Sequence, residues 1–180
     1  MKRFLTMALI LALLACSLVL PASASSAASR VDAYCTVHTN GDCQITLTIT
    51  LRLEDVQNEI TFPLPADAKD ITMNGSNVRT NTVGSVIEVD LSRAVGGMIG
   101  EVPIRLDYTV PDVVKVTEDR KLQLELPLLS GFRYPVEQLS FVVVMPGAVT
   151  SDPKFHATYR QDSIDSDLDY VVNNSMITGA

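Results

Sequence analysis

Tryptophan is absent from this chain of 180 residues, histidine occurs only twice and cysteine three times. Without indoles, and with five Tyr and five Phe, the sequence is short of the aromatic platforms on which sugars stack. The two imidazoles, His38 and His156, lie too far apart in sequence for any spacing to predict a shared site. Basic residues are outnumbered, 14 against 21 acidic, for a net charge of −7. Beyond the N-terminus they are scattered singly except at Arg120-Lys121. With no cluster to release counterions from a phosphate backbone, nucleic acid is excluded as a partner. The same balance argues against an anionic membrane surface. A Gly-x-Ser-x-Gly elbow is missing, so nucleophilic catalysis has no local support. Gly96-Gly97-x-x-Gly100 lacks the lysine and following helix of a phosphate loop.

What is present begins with an address. Lys2 and Arg3 precede an almost unbroken apolar run, Phe4 to Leu20, and Ala22-Ser23-Ala24 supplies small residues for a peptidase. The run is near the lower limit for a membrane span, and Pro21 with the small Ser/Ala stretch to Ser29 favours cleavage. Residues 1–24 therefore read as a signal peptide, with Cys16 an ordinary residue of its apolar core. Removing 24 of the 180 residues leaves 156, and losing Lys2 and Arg3 leaves 12 basic against 21 acidic side chains, a charge of −9. No later segment approaches the length of a membrane helix. The longest strongly apolar stretch, Phe141 to Met145, stops at Pro146.

The body alternates as strands do. Thr46 to Leu53 puts Leu47, Ile49, Leu51 and Leu53 on one face and Thr or Arg on the other. The period returns in Ile87–Leu91, Ile104–Val110 and Leu122–Leu126. Leu139–Met145 is apolar throughout, as a central strand is. Asn40-Gly41 and Asn74-Gly75 suit two-residue hairpin turns, and prolines fall mostly at strand ends. Only Ser92–Met98 has any helical period, and Gly96 and Gly97 undermine it. The expected fold is all-β, an immunoglobulin-like antiparallel β-sandwich over residues 25–134 with an additional C-terminal β segment over 135–180, preceded by the signal-peptide helix. Val171–Thr178 reads like the start of a hairpin, after which the sequence stops at Gly179-Ala180. That pattern fits a short secreted form or a stop inside a longer protein.

Several of these segments together resemble a known family. They are the Asn40-Gly41-Asp42 turn with the Ile45–Thr50 strand, Ile71-Thr72-Met73-Asn74-Gly75, and the strand ending Asp107-Tyr108-Thr109-Val110. To these are added Leu126 to Glu137 and Phe141 to Gly147. The chain from the end of the signal onward resembles the extracellular N-terminal part of predicted bacterial membrane proteins known as domain of unknown function 2207. The resemblance implies an extracytoplasmic β domain followed by membrane helices, which these 180 residues do not carry. It implies no activity and no catalytic residues.

Candidate sites are few. Cys35 and Cys43 are the thiols left after the signal, and an exported chain with an even count makes them a candidate disulfide. The turn competes with that bridge. A two-residue Asn40-Gly41 turn sets Cys43 against His38 and Cys35 against Thr46, on opposite faces. A three-residue loop restores one face but separates the thiols by four residues, roughly 13 Å at the strand rise. Cys35-x-x-His38 with Cys43 offers zinc three ligands at most, and an oxidising exterior disfavours free thiolates, so no metal is expected there. Asp165, Asp167 and Asp169 alternate as in a calcium loop, but Tyr170 and Met176 stand where that loop needs Gly and Glu. They form only a weak calcium candidate. Acids such as Glu88, Asp90, Asp107 and Glu125 alternate along strands, usually the wet face of a sheet. Phe132-Arg133-Tyr134, in a proline-bounded junction, has the residue types of a contact patch, or of packing between two β segments.

These observations favour an exported, non-catalytic interaction or structural module, extracellular or at the cell surface, without cofactor, whose partner is an extracellular or cell-surface protein. The alternatives are the extracellular sensor part of a longer membrane protein, and a secreted hydrolase whose carboxylates assemble only in the fold.

Overall fold

The computed structural model describes residues 26–118, 121–150, 154, 156–159, 162–164 and 168–180; the signal segment lies outside them. In chain order the elements are β1 (Ala27–Val37), β2 (Cys43–Leu53), β3 (Thr61–Pro65), β4 (Lys69–Met73) and β5 (Ser76–Asn77). Next come β6 (Thr80–Val83), β7 (Val86–Asp90), a one-turn helix α1 (Ser92–Val95), β8 (Gly100–Val110), β9 (Val114–Val116) and β10 (Leu122–Leu124). The last are β11 (Leu139–Val144), β12 (Thr158–Tyr159), β13 (Asp162–Ser163), β14 (Tyr170–Asn173) and β15 (Met176–Gly179).

β2 organises the rest. Its inward residues Ile45, Leu47, Ile49, Leu51 and Leu53 are fully buried, each removing apolar surface from water for about 1.5–3 kcal/mol. It pairs along its whole length with β1 on one side and β8 on the other. The sheet continues to eight strands in the order β14-β15-β11-β1-β2-β8-β4-β5. A second sheet, β3-β7-β6, contributes Phe62, Leu64 and Val89 to the same core as the large sheet. The outer face of β2 and β8 is polar, with Thr46 donating to Asp107 at 2.6 Å and Arg105 pairing with Asp107 at 2.8 Å.

The expectation of a purely antiparallel arrangement is corrected at one ladder. β1 runs parallel to β11, with Val31 opposite Leu139 and Thr36 opposite Val144, so the large sheet is mixed. Parallel neighbours need a long crossover, and here the whole of residues 38–138 provides it. β11 is a central strand, lying between β1 and β15, as its continuous apolar run predicts. Strands from both sides of residue 135 thus share one sheet.

Turn chemistry fixes the registers. Asn74 and Gly75 both take positive φ, 51° and 75°, between the paired Met73 and Ser76, the two-residue hairpin that their sequence predicts. Asn40-Gly41 differs. His38 N–H donates to Asp42 O at 2.8 Å and Gly41 N–H to His38 O at 3.0 Å, closing a three-residue loop over 39–41 with Gly41 at φ 90°. The Asn40 side chain explains the preference, accepting from Asp42 N–H at 3.2 Å and donating to the Asp42 carboxylate at 2.8 Å. Gly179 is required by close approach: a Cβ there would stand 2.4 Å from the Phe141 ring and 2.7 Å from Asp169 O.

Candidate functional site

A shallow groove of about 380 Å³ lies over the small sheet. Pro63 of β3, Val83 of β6 and Val86 of β7 give it an apolar floor, and Glu88 and Arg133 bring opposite charges to its rim. Val83 is 53% exposed, and β6 is an edge strand with all four residues exposed. Ser130 and Gly131 complete the wall beside Arg133; Gly131 sits at φ 78° against the Pro63 ring. None of the floor residues stands out in the sequence. The groove arises because β3, β6 and β7, contiguous in the chain, meet the distant 130–133 turn.

That turn carries the aromatic and cationic triplet, and its three members part company. Phe132 is buried, its ring centroid 5.0 Å from Phe62 and 5.8 Å from Tyr134. Tyr134 is half-buried, and burial raises its phenol above the ordinary tyrosine range. Arg133 is exposed at the groove rim. The triplet is therefore an anchor with one outward charge.

Three glutamates, Glu54, Glu101 and Glu137, gather around Arg52, and the other shifted carboxylates among the described residues sit on separate elements. Asp107 is held below the usual aspartate range first by the Arg105 guanidinium, against a smaller desolvation, with the Thr46 hydroxyl also lowering it. Asp90 is lowered by the Ser92 hydroxyl and then by Ser92 N–H, which reaches it at 2.8 Å ahead of α1. Asp32 is lowered chiefly by Arg30 and accepts from the Ser140 hydroxyl across the parallel ladder. Glu137 is lowered by Arg52, which grips it with both guanidinium arms at 2.9 and 2.5 Å. Glu125 pairs with Lys115 at 3.2 Å. Among the described residues no charged side chain is fully buried.

Cys35 and Cys43 are both wholly buried free thiols, and the printed partner of Cys43 Sγ is Gln44 O at 3.7 Å. The neighbouring Cys43, together with burial, pushes the Cys35 thiol far up. The three-residue loop falls over 39–41 and places Cys43 opposite Val37 and Cys35 opposite Ile45, so the thiols share one face only two residues apart along the strand, which corrects the four-residue separation expected of such a loop. Tyr108, opposite Ile45 on β8, completes the cluster; its buried hydroxyl has no hydrogen-bond partner. The alternation of Ile104, Leu106, Tyr108 and Val110 marks Tyr108 as inward, but nothing local aligns β8 with the thiols. His38 is exposed on the loop, away from them. Among the described residues no group of three His, Cys, Asp or Glu is placed to hold a metal. Of the calcium candidates, Asp165 and Asp167 lie outside the described residues. Asp169 is exposed and exchanges backbone hydrogen bonds with Ala180 at 3.1 and 3.2 Å.

A large mixed sheet with a polar outer face, sharing its core with a smaller sheet, defines a β-rich module. Residues 27–178 match the family model described as predicted membrane protein (DUF2207) N-terminal domain, and the chain belongs to that family. No curated protein matches the chain. Among solved structures, it is similar to an M1 zinc metallopeptidase from Deinococcus radiodurans, at 17% identity and TM-score 0.41, over 86% of this chain and 38% of that one. A mutant of that peptidase bound to a Tyr-Ser-Ala substrate gives 18% identity and TM-score 0.40 over the same shares. The chain thus spans well under half the length of these structures. Among the described residues no helix is long and apolar enough to cross a membrane.

Proposed function

We propose that this chain is a non-catalytic extracytoplasmic interaction or structural module, the outer part of a membrane protein, built as an immunoglobulin-like sandwich of unequal sheets. The disposition of its acids supports this reading. A hydrolase needs one carboxyl kept protonated near neutral pH beside a second one across a cleft. Among the described residues the acids with displaced proton affinity, Asp32, Asp90, Asp107 and Glu137, are pushed down, each by its own cation or hydroxyl, on separate elements. The groove bounded by Val83, Glu88 and Arg133 is the contact surface, and its apolar floor between opposite charges suits a segment of a cell-surface protein. A second, compatible reading is the sensor part of a longer membrane protein, for which the family description supports the membrane protein alone.

The test is fractionation with crosslinking in the source cells. The native protein is expected in membranes and digestible by protease added to intact cells. A photo-crosslinker at Val83 is expected to give a discrete protein adduct that the same probe at Tyr34, half exposed on β1, does not. Confinement to the cytoplasm, or equal adducts at both positions, overturns the proposal.

A further inference from the structure

The two edges of the small sheet are unlike. Leu91 N–H donates to Ile60 O at 2.8 Å, and Asp90 N–H to Arg79 O at 2.9 Å. These contacts continue the β3–β7 and β6–β7 registers, in which hydrogen-bonded pairs recur at every second residue. On β3, Phe62 and Leu64 therefore bond to β7, and Thr61, Pro63 and Pro65 turn their backbone nitrogens away from it. Two of those three outward positions are prolines, which have no N–H to offer, so this edge is closed to a further strand. On β6, by the same count, Asn81 and Val83 bond to β7 and the outward positions are Thr80 and Thr82.

β6 carries none of the devices that close an edge. Thr80-Asn81-Thr82-Val83 has no proline, no charge and no bulge in its register, and all four residues are exposed. Among the described residues no strand pairs with its outer side. β14, an edge of the large sheet, contributes nothing to the groove, whereas Val83 belongs both to the β6 edge and to the groove floor.

We propose that β6 accepts an extended segment of another protein as a fourth strand of the small sheet, bonded through the backbone of Thr80 and Thr82. This rests on the reading of the groove as a contact surface and specifies its occupant. A row of outward N–H and C=O groups is matched by another backbone in β conformation. Pairing at Asn81 and Val83 is then of the non-bonded kind, in which facing side chains come closest. The side chain opposite Val83 lies beside Val86 and Pro63 on the groove floor, which suits an aliphatic residue, and the one opposite Asn81 suits an uncharged hydrogen-bonding residue. Four residues span roughly 13 Å, too short an edge for two copies of this chain to hold each other by it alone, since stable interfaces bury upward of about 1,200 Å². A segment that continues from the edge over the groove gains the further contact.

The test combines the photo-crosslinker at Val83, in the full chain in the source cells, with proline at an outward position. Thr82→Pro removes one outward N–H and sets a ring on the edge, as Pro63 and Pro65 do on the opposite one, and spares the bonds to β7. Thr82→Ala removes the side chain and keeps the N–H. The adduct is expected to persist in Thr82→Ala and to fall at least about fivefold in Thr82→Pro, as the loss of an interchain hydrogen bond entails. Thr80→Pro is expected to act likewise, with the urea midpoints of the purified chains showing that both proline variants fold. An adduct undiminished by either proline, or diminished equally by Thr82→Ala, overturns strand addition and leaves the groove a contact surface. An adduct joining two copies of this chain overturns the choice of partner. Unfolding by both prolines overturns the assignment of Thr80 and Thr82 as outward, and strand addition with it. Absence of a Val83 adduct from the unsubstituted chain overturns the groove reading and strand addition together.

Discussion

Cys43 lies one diagonal step from Cys35 across the β1–β2 ladder, both thiols on the buried face. Disulfide exchange needs an oxidant to reach a thiolate, and both thiols are wholly buried in the folded chain. Oxidation is therefore expected while the hairpin is still open. Chain refolded with oxidised glutathione should lose two hydrogens by mass and gain a bridge. Chain folded first under reducing conditions and then exposed to the same oxidant should stay reduced for hours. Equal oxidation in both orders, followed by mass spectrometry, would show that the hairpin end opens readily.

Tyr108 is the neighbour that gains least from this packing. Its hydroxyl is buried without a partner, and burial pushes its proton affinity upward. An unsatisfied buried hydroxyl carries its full desolvation cost, so Tyr108→Phe should raise stability by about 1 kcal/mol. Urea unfolding decides the matter: a loss of stability on removing the hydroxyl would mean that it has a bonding partner after all.

What the sequence reveals and what it hides divide along the same line. The alternation in Leu47–Leu53 and Ile104–Val110 identifies two strands that pair with each other, and the unbroken run at Leu139–Val144 identifies a strand flanked on both sides. The start of β1 is hidden. Ala27 and Ala28 look like the small residues of a cleavage stretch, yet both are buried, and Ala28 N–H donates to Pro135 O at 2.8 Å. Small side chains signal processing and close packing equally well. The parallel β1–β11 pairing is hidden for another reason: it joins residues about a hundred positions apart, and no local pattern encodes its direction. The groove floor at Pro63, Val83 and Val86 shares that origin.

Acid should weaken the fold through specific pairs. Asp107, Asp90 and Asp32 all have native proton affinities below the ordinary aspartate value of about 3.9. A depressed native value means stability that is complete above the unfolded value and lost as pH falls through the native one. The urea midpoint should therefore be flat near neutrality and drop from about pH 5 downward. Asp107→Asn, which cannot titrate, should make that drop shallower while lowering the midpoint at pH 7. An unchanged acid slope in the variant would place the sensitivity elsewhere.

Phe132 and Arg133 separate packing from recognition at adjacent positions. Phe132 is 4% exposed and packed with its ring tilted against Phe62, so Phe132→Ala should cost about 3–5 kcal/mol, the range for deleting a buried aromatic ring. Arg133 stands at the groove rim, exposed, and Arg133→Ala should shift the urea midpoint little, within the about 0.5 kcal/mol typical of surface positions. The two variants should reverse order in the crosslinking assay. Removing Arg133 takes away one of the two rim charges and should diminish the Val83 adduct in a chain that remains fully folded. A Val83 adduct undiminished by Arg133→Ala would leave Arg133 outside the contact, and a folded, adduct-forming Phe132→Ala would refute its place in the core.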